Sequence, residues 1–126
     1  MKKLESVAWV LKKDGKVLCV KTKGKNKYFI PGGKLEVGET HQLGLLREIK
    51  EELNVDLVAS TITHEFTVVD EAYGLEDTEL AMHCYSADFS GVITPDSEIE
   101  LIKWIDKSKI DECAPAAQKA VLQLLQ

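Results

Sequence analysis

Four glutamates and one arginine within a short stretch carry the most chemistry in this chain. The stretch runs from Gly32 to Val55, GGKLEVGETHQLGLLREIKEELNV, and holds Glu39, Arg47, Glu48, Glu51 and Glu52. On a helix, Glu51 and Glu52 fall three and four places after Glu48, so all three carboxylates share one face. Leu45, Leu46, Ile49 and Leu53 cluster on a different face and read as a core stripe. Like charges crowded in this way repel and cost stability. A cation should therefore complete the site, and closely spaced oxygen ligands suit Mg²⁺ or Mn²⁺. Taken alone, EIKEEL is better read as a solvated acidic helix. The offsets of Gly33, Glu39 and Arg47 raise it above that reading.

Those offsets resemble the Nudix box. The family pattern is Gly, five residues, Glu, seven residues, Arg-Glu, an aliphatic residue, any residue, Glu-Glu, any residue, Gly, aliphatic. Gly33, Glu39, Arg47, Glu48, Ile49, Glu51, Glu52 and Val55 stand in register with it. From average residue usage, a chance match is on the order of one in a million. Asn54 departs, standing where the family has glycine. That position follows the helix in the left-handed region, where Asn is the next-best occupant, leaving Val55 to fold back on the Ile49 end. Gly44 within the helix costs about 1 kcal/mol relative to Ala and marks a close approach.

The resemblance implies an α+β fold, an α/β/α sandwich with a mixed β-sheet between helices. It implies cleavage of the diphosphate linkage in a nucleoside diphosphate derivative, with Mg²⁺ as cofactor and Mn²⁺ as a substitute. Glu48, Glu51 and Glu52 carry over as metal ligands, together with the carbonyl of Gly32. Glu39 and Arg47 carry over as the pair bracing loop against helix. General-base duty in the family falls on a box glutamate, here Glu51 or Glu52, or on a carboxylate in a late loop. Asp96, Glu98 and Glu100 are candidates there, and Glu98 is preferred, lying six residues before Trp104. A basic residue after the second strand contacts substrate in several relatives, which points to Lys21 or Lys23. Tyr28, or its aromatic neighbour, reads either as a core residue or as one that stacks on a base.

The size and C-terminal helix resemble MutT-type (d)NTP pyrophosphohydrolases, which release a nucleoside monophosphate and pyrophosphate. Pro115-Ala116 is followed by Ala117 and Gln118, without the Asn with which MutT reads oxidised guanine. Two alternatives stand beside this one: hydrolysis of another derivative such as ADP-ribose, and a nucleotide-sensing module that does not cleave. The short N-terminus, without the extra strands of many dimeric ADP-ribose pyrophosphatases, weighs against the first.

The elements that must position these residues fit one domain spanning residues 1–126. At 44% apolar residues the chain can build a core, burying roughly two-thirds of its unfolded surface. A net charge of −5 argues against a nucleic-acid polymer as partner. No apolar run long enough for a membrane span and no leader pattern are present, so the expected setting is cytoplasmic. The oligomeric state stays open between monomer and homodimer. Cys19, Cys84 and Cys113 are far apart and lack a CxxC pair, so neither zinc nor a disulfide framework is expected.

Val7–Leu11 and Val17–Val20 read as strands joined through Asp14-Gly15, a strong hairpin signal. Thr40 reads as the N-cap of a helix to about Leu53. Residues 57–69, 79–87 and 99–105 read as strands, the first interrupted near 59–61, and 70–77 as an acidic loop. Trp104 reads as core. Ala116–Leu125 closes as an amphipathic helix. His41, His64 and His83 read as packed or exposed side chains without a catalytic role.

Overall fold

The computed structural model describes residues 1–126. Its apolar segments pack into two cores on either side of the strands. Strand β1 (Lys2–Trp9) and strand β3 (Lys16–Thr22) supply both. Successive side chains on a strand point to opposite faces. Val7, Trp9, Leu18 and Val20 thus enter one core, while Ala8, Val10, Val17 and Cys19 enter the other. This is why VAWV and VLCV are continuous apolar runs, as expected of strands covered on both faces.

One sheet orders β4 (Gly32–Lys34), β1, β7 (Thr78–Ser86) and β6 (Thr63–Glu71). It is mixed: β1 runs antiparallel to β4 and parallel to β7. A second sheet joins β2 (Lys12–Lys13), β3 and β9 (Ile99–Ile105), all antiparallel. Two short strands, β5 (Asp56–Leu57) and β8 (Phe89–Ser90), pair by themselves. Helix α1 (His41–Leu53) buries Leu45, Ile49 and Leu53 against the first core. Helix α2 (Pro115–Leu124) buries Ala116, Ala117, Ala120 and Val121 against the second. The result is the expected α+β sandwich. No helix is long and apolar enough to cross a membrane.

The structure revises several details. The Asp14-Gly15 turn closes β2 on β3, whereas β1 belongs to the other sheet. Both turn residues have positive φ, 53° and 74°, the conformation such tight hairpins need. Strand β6 runs on through Asp70 and Glu71, shortening the acidic loop. A 3₁₀ segment, Lys107–Glu112, leads into α2. Trp104 is half-buried, and the fully buried indole is Trp9, whose Nε1 donates to the Ala87 carbonyl at 3.2 Å.

Gly32 is where the two halves of the site press most closely together. Its φ of 149° lies in the region glycine favours, and a Cβ there would run into the Val7 carbonyl oxygen. Backbone cannot yield as a side-chain tip can. Gly32→Ala is therefore expected to cost more than about 3 kcal/mol, read as a fall in denaturant midpoint. A midpoint within error of the parent would show that β4 is not packed against β1 in this way.

Candidate active site

Helix α1 sets the geometry. Thr40 caps it, its Oγ1 accepting from the Leu43 N–H at 3.1 Å. Asn54 ends it at φ 59° and ψ 27°, and Val55 behind it is fully buried with Ile49 and Leu53. Leu45, Ile49 and Leu53 dock the helix on β1 and β4, which turns Glu48 and Glu52 toward the diglycine strand. Gly33 leaves room for one carboxylate: an added Cβ would sit 2.5 Å from the Glu48 carboxyl. Gly32 holds the other, its N–H donating to Glu52 Oε1 at 3.2 Å.

Arg47 locks the preceding loop to this face. Its Nε donates to Glu39 Oε2 at 2.7 Å and its Nη2 to Glu39 Oε1 at 2.9 Å, a two-pronged carboxylate grip. The same Nη2 donates to the Lys34 carbonyl at 3.3 Å. Nη1 donates to Glu48 Oε1 at 2.9 Å and lies 3.6 Å from Glu51 Oε1. Glu39 also accepts from the Glu36 N–H at 2.9 Å. Gly44 is the close approach the helix makes here: a Cβ would meet Leu35 Cδ2 at 2.7 Å and Glu39 Oε1 at 3.0 Å.

Glu39, Glu48 and Glu52 consequently differ in proton affinity. The Arg47 hydrogen bond, helped by the Glu36 N–H, holds Glu39 down at about 2. Burial pushes Glu48 upward against the pull of Arg47. Glu52 is pushed up to about 8, chiefly by burial, with Glu48, Glu51 and Glu98 adding repulsion and the Gly32 N–H opposing. Glu51 is exposed. With Arg47 engaging Glu48 and Glu51, no three acidic, imidazole or thiol groups converge on one point. The oxygen-only donor set beside Gly32 and the excess of negative charge nevertheless fit a hard divalent cation.

The late loop comes to the same place by backbone hydrogen bonds. The Thr94 and Asp96 N–H groups donate to the Leu53 and Glu52 carbonyls, both at 2.9 Å, occupying free acceptors at the end of α1. Asn54 Nδ2 adds a bond to Asp96 Oδ2 at 2.9 Å. Glu98 is thereby exposed and close enough for its charge to be felt at Glu52. Glu100, on β9, pairs with Lys21 at 3.6 Å.

A cavity of about 370 Å³ opens beside Gly32, Gly33 and Glu52. Lys21, Lys23 and Tyr28 do not line it. Lys21 lies 5.9 Å from the Tyr28 ring centroid. The Lys23 N–H donates to the Glu98 carbonyl at 2.8 Å. Tyr28 bridges to Cys113 and packs beside α2. Lys25, Lys34, Phe29 and Tyr73 line the cavity instead. Tyr28 and Phe29 are neighbours on extended chain and must point oppositely, so the aromatic signal was present without its direction.

The histidines also gather unexpectedly. His41 and His83 stack with centroids 4.6 Å apart, and Thr67 Oγ1 lies 2.9 Å from both His64 Nε2 and His83 Nδ1. His83 Nε2 meets Glu5 Oε1 at 2.8 Å, and His41 Nδ1 meets Tyr85 Oη at 2.7 Å. All three cysteines are free and buried.

Glu52 makes stability depend on pH when divalent cations are chelated. The native carboxyl keeps its proton up to about 8, whereas the unfolded chain releases it near 4.5. Stability is present in full below 4.5 and falls as pH rises to 8, at up to about 1.4 kcal/mol per pH unit. Glu52→Gln removes that loss. In chelator its melting temperature should exceed the parent's by roughly 5 °C or more at pH 8 and match it at pH 4. Parallel curves would sink the burial assignment.

The NUDIX domain model matches residues 1–125. The uncharacterized Nudix hydrolase YvcI of Bacillus subtilis (strain 168) is 28% identical over 102 residues, 80% of this chain and 65% of its own. A MutT-like protein of Streptomyces ambofaciens is 25% identical over 103 residues, 82% of this chain and 63% of its own. The chain thus spans just under two thirds of the length of either relative. The crystal structure of a MutT NUDIX hydrolase from Burkholderia pseudomallei aligns with a TM-score of 0.80 over 98% of this chain and 99% of its own, at 22% identity. The solution structure of the E. coli ORF135 protein gives 0.73 over 98% and 91%, at 24% identity. At such identities these likenesses establish the fold. Together with the domain match across almost the whole chain, they make this protein a member of the NUDIX family.

Proposed function

We propose that the chain is a divalent-cation-dependent pyrophosphohydrolase that cleaves the diphosphate linkage of a nucleoside diphosphate derivative. The preferred substrate is a (d)NTP, giving a nucleoside monophosphate and pyrophosphate. One observation carries the reading. Two partly buried carboxylates, Glu48 and Glu52, face a diglycine strand at the mouth of an apolar cavity, so anionic and flat parts of one ligand have adjacent places.

Glu48, Glu51 and Glu52, with the Gly32 carbonyl, are the groups assigned to hold Mg²⁺ or Mn²⁺. The bound cation would neutralise phosphate charge and lower the pKa of a water. Arg47 offsets repulsion across the glutamate face, and Glu39 keeps Arg47 in place. Glu98 is assigned to take a proton from the attacking water, because it is exposed at the site edge and near Glu52. Glu51 and Glu52 are the box carboxylates that share or replace that role. Lys25 and Lys34, at the cavity rim, are placed to meet phosphate oxygens, in preference to Lys21 and Lys23. Three free thiols suit a reducing compartment such as the cytoplasm.

The test is phosphate release from a panel of nucleotides, with added pyrophosphatase, in Mg²⁺ and in Mn²⁺. Chelation should abolish turnover and either ion should restore it. Glu52→Gln should lower kcat by about a thousandfold or more, as expected when several kcal/mol of charge stabilisation is lost, while circular dichroism stays unchanged. Full rate in that variant would defeat the metal assignment. Silence across the panel, with strong nucleotide-induced melting shifts, would favour a sensing module.

A further inference from the structure

The cavity beside Glu52 is poor in groups able to read the hydrogen-bonding edge of a base. Its floor is made by Ala8, Leu80, Met82, Ala116 and Ala117, and its mouth by Phe29 and Tyr73. No Asn, Gln, Asp, His or Arg lines it. The polar side chains that do are mostly engaged or peripheral. Lys25, Lys34 and Glu71 are exposed at the rim. Glu52 accepts from Gly32, and the Tyr73 hydroxyl donates to Asn26 Oδ1 at 2.9 Å. Ser6 and Thr22 leave two small hydroxyls. Gln118, on the helix that forms the floor, does not line the cavity, and its Nε2 donates to the Cys113 carbonyl at 2.8 Å.

Such a wall has physical consequences for a ligand. A polar substituent that enters beyond the reach of those two hydroxyls loses water without a side-chain partner, a penalty of roughly tenfold to a hundredfold in affinity. A methyl group gains apolar contact, worth roughly fourfold. The ring faces remain attractive, because Phe29 and Tyr73 stand 6.1 Å apart, tilted by 59°, across the entrance. Aromatic contact with a base face is indifferent to the base edge.

We propose that this cavity takes a flat heteroaromatic base whose edge is poor in hydrogen-bonding groups, and that apolar substituents improve the fit. This rests on the pyrophosphohydrolase reading above and adds the class of base. Selection here comes from what the wall fails to satisfy.

The test uses unaltered protein with Mg²⁺ and measures kcat/KM for triphosphates that differ by single groups. Unsubstituted purine should exceed adenine, and adenine should exceed guanine, with tenfold or more between the ends. Thymine should exceed uracil by about fourfold, the two differing by one methyl. Equal values, or guanine first, would overturn the proposal, and guanine first would place the Glu71 carboxylate on the base edge. If no triphosphate turns over, the reaction proposed above fails, and the order is then taken from melting shifts with the same ligands. The same order there upholds the cavity assignment, and a flat or reversed order overturns it.

Discussion

The Arg47 guanidinium is the contact on which the acidic helix depends. Three glutamates on one helical face would repel one another and loosen the end of α1. Arg47 spreads its donors over Glu39, Glu48 and the Lys34 carbonyl and lies near Glu51. Loop, strand and helix are thus tied at a single planar group, which a lysine could not duplicate. The guanidinium also sorts the carboxylates. Glu39, held by hydrogen bonds, stays ionised, while Glu48 and Glu52 are pushed the other way by burial. The loop before the helix and the helix itself thereby hold acids of very different strength.

The end of the same helix positions the late loop. Helix termini leave carbonyls without partners, and here Thr94 and Asp96 take two of them. A chain segment some forty residues downstream is brought to the carboxylates by backbone donors, whatever its side chains. The left-handed turn at Asn54 makes this possible by bending the chain away so that the loop can dock, and its amide then bonds Asp96. A feature that departs from the family pattern has therefore acquired a contact that glycine could not make.

Local physics explains what was legible in advance. The cap at Thr40, the tight turn at Asp14-Gly15 and the left-handed exit at Asn54 depend on near neighbours and appear as expected, although the turn joins β2 rather than β1 to β3. The parallel pairing of β1 with β7 joins residues more than seventy positions apart and has no local signature. The same holds for the gathering of His41, His64 and His83, which depends on β6, β7 and α1 meeting at one surface. Which of the neighbours Tyr28 and Phe29 faces the cavity is a question of strand phase, and Phe29 does; Lys25, in the loop beyond β3, lines it where Lys21, on the strand, does not. Trp9 and Trp104 differ in depth: both face the first core, but only Trp9 is fully buried in it.

The two cores lie back to back, sharing strands β1 and β3. The carboxylates ride on α1, over one core, while most of the cavity floor comes from strand residues and α2 over the other. The diglycine strand and Glu52 reach across, joined by Val7 and Val20 of the first core. Drift in the rest of the floor can therefore reshape the cavity while the carboxylates of α1 stay in place. A scaffold partitioned in this way lends itself to diversification by small apolar exchanges on its back wall.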